Sequence, residues 1–114
     1  MNKDDSPVLK QSDLVREGDV RKTGVQIDEE TCANPWTAIV QRGQAVLWFH
    51  DGGKGFEICF KDPDRVPFKN WQGACRSRKG TLQGTVDPGT DPGLYWYAVK
   101  IDGEEICDPI IWVQ

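Results

Sequence analysis

The stretch that decides the fold lies at the end of the chain, where residues 93–113 read GLYWYAVKIDGEEICDPIIWV. Aromatic and β-branched residues dominate its first half, as is typical of a strand. Asp102-Gly103 is a dipeptide typical of a tight hairpin turn, and a short strand then closes the domain. Strand alternation places Tyr95, Tyr97, Val99 and Ile101 on one face and Trp96, Ala98 and Lys100 on the other.

Similar apolar runs, each bounded by turn residues, precede this hairpin. Strands are expected over residues 19–28, 36–41, 45–50, 56–61 and 81–86. Core-facing positions include Phe56, Ile58 and Phe60. The connection from Asp62 to Gly80 carries Phe68 and Trp71, which we expect to fill one end of the core. About seven strands and no long helix predict an all-β, two-sheet Greek-key sandwich, cupredoxin-like or immunoglobulin-like.

The length of the chain limits the number of domains, and its net charge limits the classes of partner. A chain of 114 residues forms one domain, with residues 1–18 expected as a flexible tail and residues 19–114 as the sandwich. The net charge of −4, with both signs interspersed, argues against nucleic acid and membrane as partners. No apolar run approaches the roughly 20 residues of a membrane span. As written, the chain is expected to be cytoplasmic; it would be exported if a signal peptide had been removed.

Four segments resemble the cupredoxin-like sandwich, and the resemblance extends over roughly residues 36–113. Val40–Trp48 is similar to that family's strand, glycine turn and strand ending in an aromatic residue. Phe56–Phe60 resembles the strand after the first ligand loop, Tyr95–Val99 the Tyr-x-Tyr strand that leads into the second, and Ile110–Val113 the closing strand. The pattern from Tyr95 to Val113 also resembles the end of small bacterial domains, a resemblance that implies no activity.

The resemblance implies a copper site, for which this chain lacks the ligands. A blue-copper site needs two imidazoles and a thiolate, usually with a weak thioether. The chain has one histidine, His50, and its one methionine is Met1. Cys107 lies where the resemblance implies the copper cysteine, but neither histidine nor methionine occurs between Asp102 and Asp108. We therefore expect no metal and no cofactor.

The four cysteines lie at positions 32, 59, 75 and 107, with no Cys-x-x-Cys pair. A structural zinc site usually shows two close ligand pairs, so this spacing disfavours zinc. Disulfides are an alternative in an exported protein, and four cysteines allow three pairings. Free, mostly buried thiols are the favoured interpretation, because free cysteine behaves as a small hydrophobic residue.

No catalytic constellation can be assembled from the sequence, and we expect the protein not to be an enzyme. His50 stands at a strand end beside a glycine-rich turn, with no nucleophile and paired acid assigned to it. Asp62, Asp64, Asp87 and Asp91 lie in loops, but Asp-Pro-Gly units are ordinary turn formers and nothing in the sequence makes these carboxylates converge on calcium.

Five tryptophans are the residues most in excess. Trp96 and Trp112 alternate with core-facing neighbours and therefore point outward or into a second layer. Together with Trp48 they are our candidate binding residues, since exposed aromatics suit a protein or carbohydrate ligand. The hypothesis is a non-catalytic binding module, with a homodimer as one arrangement. The alternative is a redox or metal-binding protein that uses its cysteines and His50.

Overall fold

The computed structural model describes residues 22–68, 71 and 74–114, which form a sandwich of two β-sheets. The expected tail, residues 1–18, lies outside the described residues. The strands are β1 (Lys22–Asp28), β2 (Cys32–Asn34), β3 (Thr37–Val40), β4 (Ala45–Phe49), β5 (Glu57–Phe60), β6 (Ala74–Arg76), β7 (Thr81–Thr85), β8 (Gly93–Ile101), β9 (Glu104–Cys107) and β10 (Ile110–Val113). Within the described part of the chain, no helix is long and apolar enough to cross a membrane.

The two sheets have strand orders β2-β1-β4-β7 and β3-β10-β8-β5-β6. In the second sheet β9 also pairs with β8, beyond the end of β10. Pairing is parallel between β1 and β4 and between β3 and β10, and antiparallel elsewhere. Parallel neighbours cannot be joined by a hairpin, so the chain crosses between the sheets, as expected of a sandwich.

The described residues form ten strands, where the sequence predicted about seven. Two of the additional strands are β2 and β6. The third arises because the closing segment, expected as one strand, is divided into β9 and β10. Each of the three is only three or four residues long, which is too short to show a periodicity of two. β6 lies within the segment that the sequence placed in one long connection.

The core lies between the sheets and contains a cluster of five aromatic rings. The prediction that Phe56, Ile58 and Phe60 face inward is confirmed, since all three are buried. Phe68 is also buried, and Trp71 packs against the core, as expected. The contacting rings of this cluster lie 4.7 to 6.0 Å apart and belong to Trp48, Phe60, Phe68, Trp71 and Tyr97.

The hairpin from β8 to β9 turns where the sequence predicted. Asp102 and Gly103 have φ angles of 55° and 81°, as in the tight turn that this dipeptide favours. Tyr95, Tyr97, Val99 and Ile101 are buried on the inner face. The residues between them, including Trp96, therefore face outward, and this alternation positions the site described next.

Candidate functional site

Two rows of side chains cross the outer face of strands β3, β10 and β8. In the first row Ile39 pairs with Trp112, which pairs with Leu94. In the second row Thr37, Ile110 and Trp96 are aligned in the same way. Because directly paired residues project to the same side of a sheet, these six residues form one surface, here called the outer apolar face.

The outer apolar face is exposed and carries no charged side chain. Its four large exposed residues are Ile39 (51%), Leu94 (46%), Trp96 (48%) and Trp112 (42%). The described residues contain only two other large hydrophobic side chains that are exposed, Trp36 and Ile106. Most of the exposed large hydrophobic side chains are therefore gathered on one side of one sheet.

A group of paired charges borders this face beside Trp96. The Lys61 ammonium lies 2.7 Å from a carboxylate oxygen of Glu105 and 2.9 Å from one of Asp108. These two contacts raise the pKa of Lys61, with Glu105 as the larger cause. The Lys61 ammonium in turn holds the pKa of the Asp108 carboxyl below its usual value. Two carboxylates thus share one ammonium, and the group keeps one net negative charge.

A cleft of about 320 Å³ opens between Trp96 and the loop that follows β5. Its lining residues are Lys61, Asp62, Arg65, Leu94, Tyr95, Trp96 and Asp108. The Arg65 guanidinium lies 4.5 Å from the centre of the Tyr95 ring, and it donates a hydrogen bond of 3.2 Å to the Leu94 carbonyl. Arg65 therefore holds the loop against β8 and fixes one wall of the cleft.

Among the candidate binding residues, the structure separates Trp48 from Trp96 and Trp112. Trp96 and Trp112 lie on the outer apolar face, in neighbouring rows. Trp48 is completely buried, and its indole N–H donates a hydrogen bond of 3.1 Å to the Tyr97 hydroxyl. The choice of Trp48 as a binding residue is therefore wrong. In a continuous apolar run such as β4, both faces are buried, and the sequence alone does not distinguish a core tryptophan from a surface one.

Ile39 and Leu94 were missed as candidates because each becomes part of a surface only through strand pairing. A signal for Ile39 was present, since alternation along the expected strand 36–41 puts Ala38 and Val40 on one face and Ile39 on the other. No comparable signal showed that β10 would pair with β3 on one side and β8 on the other. Pairing between distant segments is what brings Ile39, Trp112 and Leu94 into one row.

The cysteines differ from the favoured prediction of four free thiols. Cys32 and Cys107 form a disulfide that joins β2 of one sheet to β9 of the other. Cys59 and Cys75 are free and half-buried on neighbouring strands. Burial raises the pKa of both thiols, so less of each is present as the reactive thiolate. Cys107 lies in the segment where the resemblance implied a copper ligand, but its sulfur is bonded to that of Cys32.

His50 follows β4 and is held in a network of hydrogen bonds and ion pairs. Its Nδ1 accepts hydrogen bonds from the backbone N–H groups of Gly52 (3.0 Å) and Lys54 (3.3 Å). In the neutral ring, Nε2 therefore carries the hydrogen and donates a hydrogen bond of 3.0 Å to a Glu29 oxygen. The Lys54 ammonium contacts Glu29 at 2.9 Å and Asp102 at 3.1 Å. Both ring nitrogens are thus engaged in contacts within the fold.

This network lowers the pKa of Glu29. Hydrogen bonds from Lys54 first, and from His50 second, lower the pKa of the Glu29 carboxyl to about 2. Lys54 links the turn after β1 to the turn after β8. The strands β1 and β8 belong to different sheets. The network therefore ties the two sheets together at this end of the sandwich.

Three of the four loop aspartates lie together, lining a polar cavity of about 270 Å³. They are Asp64, Asp87 and Asp91, and Arg65 lines the same cavity. The Asp87 carboxylate accepts a hydrogen bond from the backbone N–H of Gly89, as in an ordinary turn. Over residues 22–68, 71 and 74–114, no group of three or more histidine, cysteine, aspartate or glutamate side chains is arranged to hold a metal ion.

Comparison with solved structures identifies which known fold the chain adopts. The chain is similar to a purple cupredoxin from Nitrosopumilus maritimus, with 13% identity, a TM-score of 0.56, and 81% of this chain and 99% of the other covered. A Cu(I) amicyanin mutant aligns with 16% identity and a TM-score of 0.57, over 88% and 86% of the two chains. A mutant plastocyanin of fern aligns with 15% identity and a TM-score of 0.55, over 81% and 100%.

Sequence comparison adds no relative, since neither a protein-family model nor a curated protein matches the chain. The structural likeness, at 13 to 16% identity, shows the fold alone. Of the two sandwich types expected from the sequence, the fold is the cupredoxin-like one. The described residues of this cupredoxin-like domain offer no set of copper ligands.

Proposed function

We propose that this domain is a non-catalytic protein-interaction module and that the outer apolar face is its docking surface. The observation that carries the proposal is the row Ile39, Trp112 and Leu94, in which three paired residues on three strands are all between 42% and 51% exposed. Apolar side chains aligned in this way leave a contiguous surface in water, and contiguous apolar surfaces commonly mark interaction sites.

The composition of the face favours a protein over a carbohydrate as partner. Leu94 and Ile110 each adjoin both tryptophans, and Ile39 lies on the other side of Trp112. The side-chain hydrogen-bonding groups within the rows are few: the Thr37 hydroxyl and the two indole N–H groups. A sugar would bring many hydroxyl groups onto this surface, and hydroxyls that lose water without gaining partners are costly to bury. Large apolar and aromatic residues without charge are what the centre of a protein interface contains. Because the two rows contain no cationic side chain, nucleic acid is also disfavoured as the partner.

The alternative, redox or metal binding through the cysteines and His50, has less support. Two of the four thiols are joined to each other, and the other two have a raised pKa. Both nitrogens of the His50 ring contact Glu29 or backbone N–H groups. A metal ion at His50 would have to displace these contacts before it gained a ligand.

The proposal is tested by quantitative capture from a lysate of the source cells. Three forms of the chain are compared: wild type, Trp96→Ala/Trp112→Ala, and Trp36→Ala, which removes an exposed tryptophan outside the two rows. We expect the wild type and Trp36→Ala to retain the same saturable protein partner, and the double variant to retain at least tenfold less.

Two outcomes would contradict the proposal. Equal capture by wild type and double variant, together with equal self-association of the two purified forms, would show that the outer apolar face is not the docking surface. Binding to an array of oligosaccharides, lost in Trp96→Ala/Trp112→Ala, would show that the partner is a carbohydrate rather than a protein.

A further inference from the structure

We infer that the occupant of the outer apolar face is a second copy of this chain, packed face to face about a two-fold axis that runs between β8 and β10. This inference rests on the proposed function, because it names the partner of the same surface. Three features support it: the area of the face, its self-complementary shape and the balance of charge around it.

The exposed area suits the centre of a dimer interface. Each of the four large residues leaves roughly 100 Å² in water, given its exposed fraction and the full area of such side chains, so they contribute roughly 400 Å² of apolar surface. A standard interface buries about 800 Å² per partner, with an apolar centre and a polar rim. The outer apolar face supplies that centre, and the border around Lys61 supplies part of a rim.

The face offers both a projecting group and a recess for it. A two-fold interface brings the same patch from each copy together, so a residue and its receptor must both lie on that patch. Trp112 stands directly beside Leu94 in the pairing of β10 with β8, and Leu94 and Trp96 line the cleft of about 320 Å³. A two-fold axis between the two strands would place Trp112 of each copy against Leu94 and the cleft of the other.

The charges around the face do not oppose contact between identical copies. A face with uncompensated charge would repel itself, because like charges would meet across the axis. The rows of the outer apolar face carry no charge, and the cleft is lined by two cationic and two anionic side chains: Lys61, Arg65, Asp62 and Asp108. Glu105, 2.7 Å from the Lys61 ammonium, adds one negative charge at the border and none within the rows. A strongly basic or strongly acidic partner would therefore gain little electrostatic attraction from this face.

The first test is the oligomeric state of the purified full chain. Sedimentation velocity from about 1 to 300 µM should show a dimer whose fraction rises with concentration. Trp112→Glu should raise the dimer dissociation constant at least tenfold, because it brings carboxylates into the apolar centre of the interface. Gln83→Glu is the matched control: it adds the same charge at an exposed position on β7, in the other sheet, and should leave the dissociation constant unchanged.

The second test asks whether Trp112 meets Leu94 of the other copy. Trp112→Glu and Leu94→Lys should each weaken self-association, whereas an equimolar mixture of the two should associate at least tenfold more tightly than either alone. In the mixed dimer one contact pairs the two new charges, and the other keeps both native side chains. Thermal melts of each variant identify any that fail to fold, and Trp112→Lys mixed with Leu94→Glu then repeats the test with the charges exchanged.

A chain that stays monomeric throughout this range would overturn the inference, as would a dimer unaffected by Trp112→Glu. Neither result would by itself contradict the proposed function. If a different protein is captured by the wild type and lost in Trp96→Ala/Trp112→Ala, the face is still a docking surface and only the identity of its partner is wrong.

Discussion

Removal of the disulfide between Cys32 and Cys107 is expected to destabilise the domain more than any other change considered for this chain. The two cysteines are 75 residues apart, and the bond joins strands of different sheets. Closing a loop of this length lowers the entropy of the unfolded chain by roughly 15 cal/mol/K, which corresponds to about 4.5 kcal/mol at 25 °C. For a domain of this size, that loss lowers the Tm by roughly 15–20 °C.

The perturbation is the double variant Cys32→Ala/Cys107→Ala, which leaves no unpaired thiol at either position. Urea unfolding followed by tryptophan fluorescence gives the free energy of unfolding. The matched control is Cys59→Ala/Cys75→Ala, which removes two free thiols and opens no loop. We expect the control to lose far less stability, and we expect a reducing agent to destabilise the control and the wild type but not the first variant.

The thiol content of the protein tests the same disulfide directly. Unfolded, unreduced wild type should show two reactive thiols, and four after reduction. Four thiols before reduction, or a Cys32→Ala/Cys107→Ala variant within about 1 kcal/mol of the wild type, would refute the reasoning. Since disulfides persist in oxidising compartments, we propose that the domain works outside the cytoplasm, and alkylation at the moment of cell lysis would show whether Cys32 and Cys107 are paired there.

Two further predictions concern the core and the ion-pair network. Tyr97→Phe leaves the buried N–H of Trp48 without its acceptor and should cost about 1–3 kcal/mol in urea unfolding, whereas a change below about 0.5 kcal/mol would show that this hydrogen bond contributes little. The folded pKa of Glu29, about 2, lies below its ordinary value, so the carboxylate stabilises the fold fully above about pH 4.5 and loses that contribution as pH falls toward 2. The Tm of wild type should therefore exceed that of Glu29→Gln at pH 7, and the difference should shrink at pH 2.5; an equal difference at both pH values would contradict the assignment to Lys54 and His50.

The hairpin was predictable because its signals are local. Alternation from Tyr95 to Ile101 and the Asp102-Gly103 turn lie within a few residues of one another, and both are found in the structure. The missed strands β2 and β6 have only three residues each, although their partners β1 and β5 are the strands that precede them in the chain. β2 pairs with β1 next to the turn that the Asp28 carboxylate caps, but three residues carry too little pattern to identify a strand.

The disulfide was not predictable because its two cysteines lie 75 residues apart in the chain. The spacing of four cysteines allows three pairings, and only the fold brings Cys32 near Cys107, with their Cα atoms 6.3 Å apart. The outward direction of Trp96 and Trp112 followed from alternation with core residues, whereas Trp48 lies in a run without alternation. Alternation thus identified two of the surface residues, and long-range pairing was needed to add Ile39 and Leu94.

The same long-range contacts bear on where in this fold a function can reside. The segment that by resemblance would be a ligand loop is instead the β8–β9 hairpin, whose turn is tied to Lys54 through Asp102 and whose Cys107 is bonded to Cys32. Groups committed to such contacts are costly to free for a ligand, because each would leave a partner unsatisfied. The outer apolar face has the opposite character: Trp112 and its row neighbours hold apolar surface in water, and covering that surface releases free energy without breaking any contact of the fold. The energetics therefore favour binding at the face over chemistry at the hairpin.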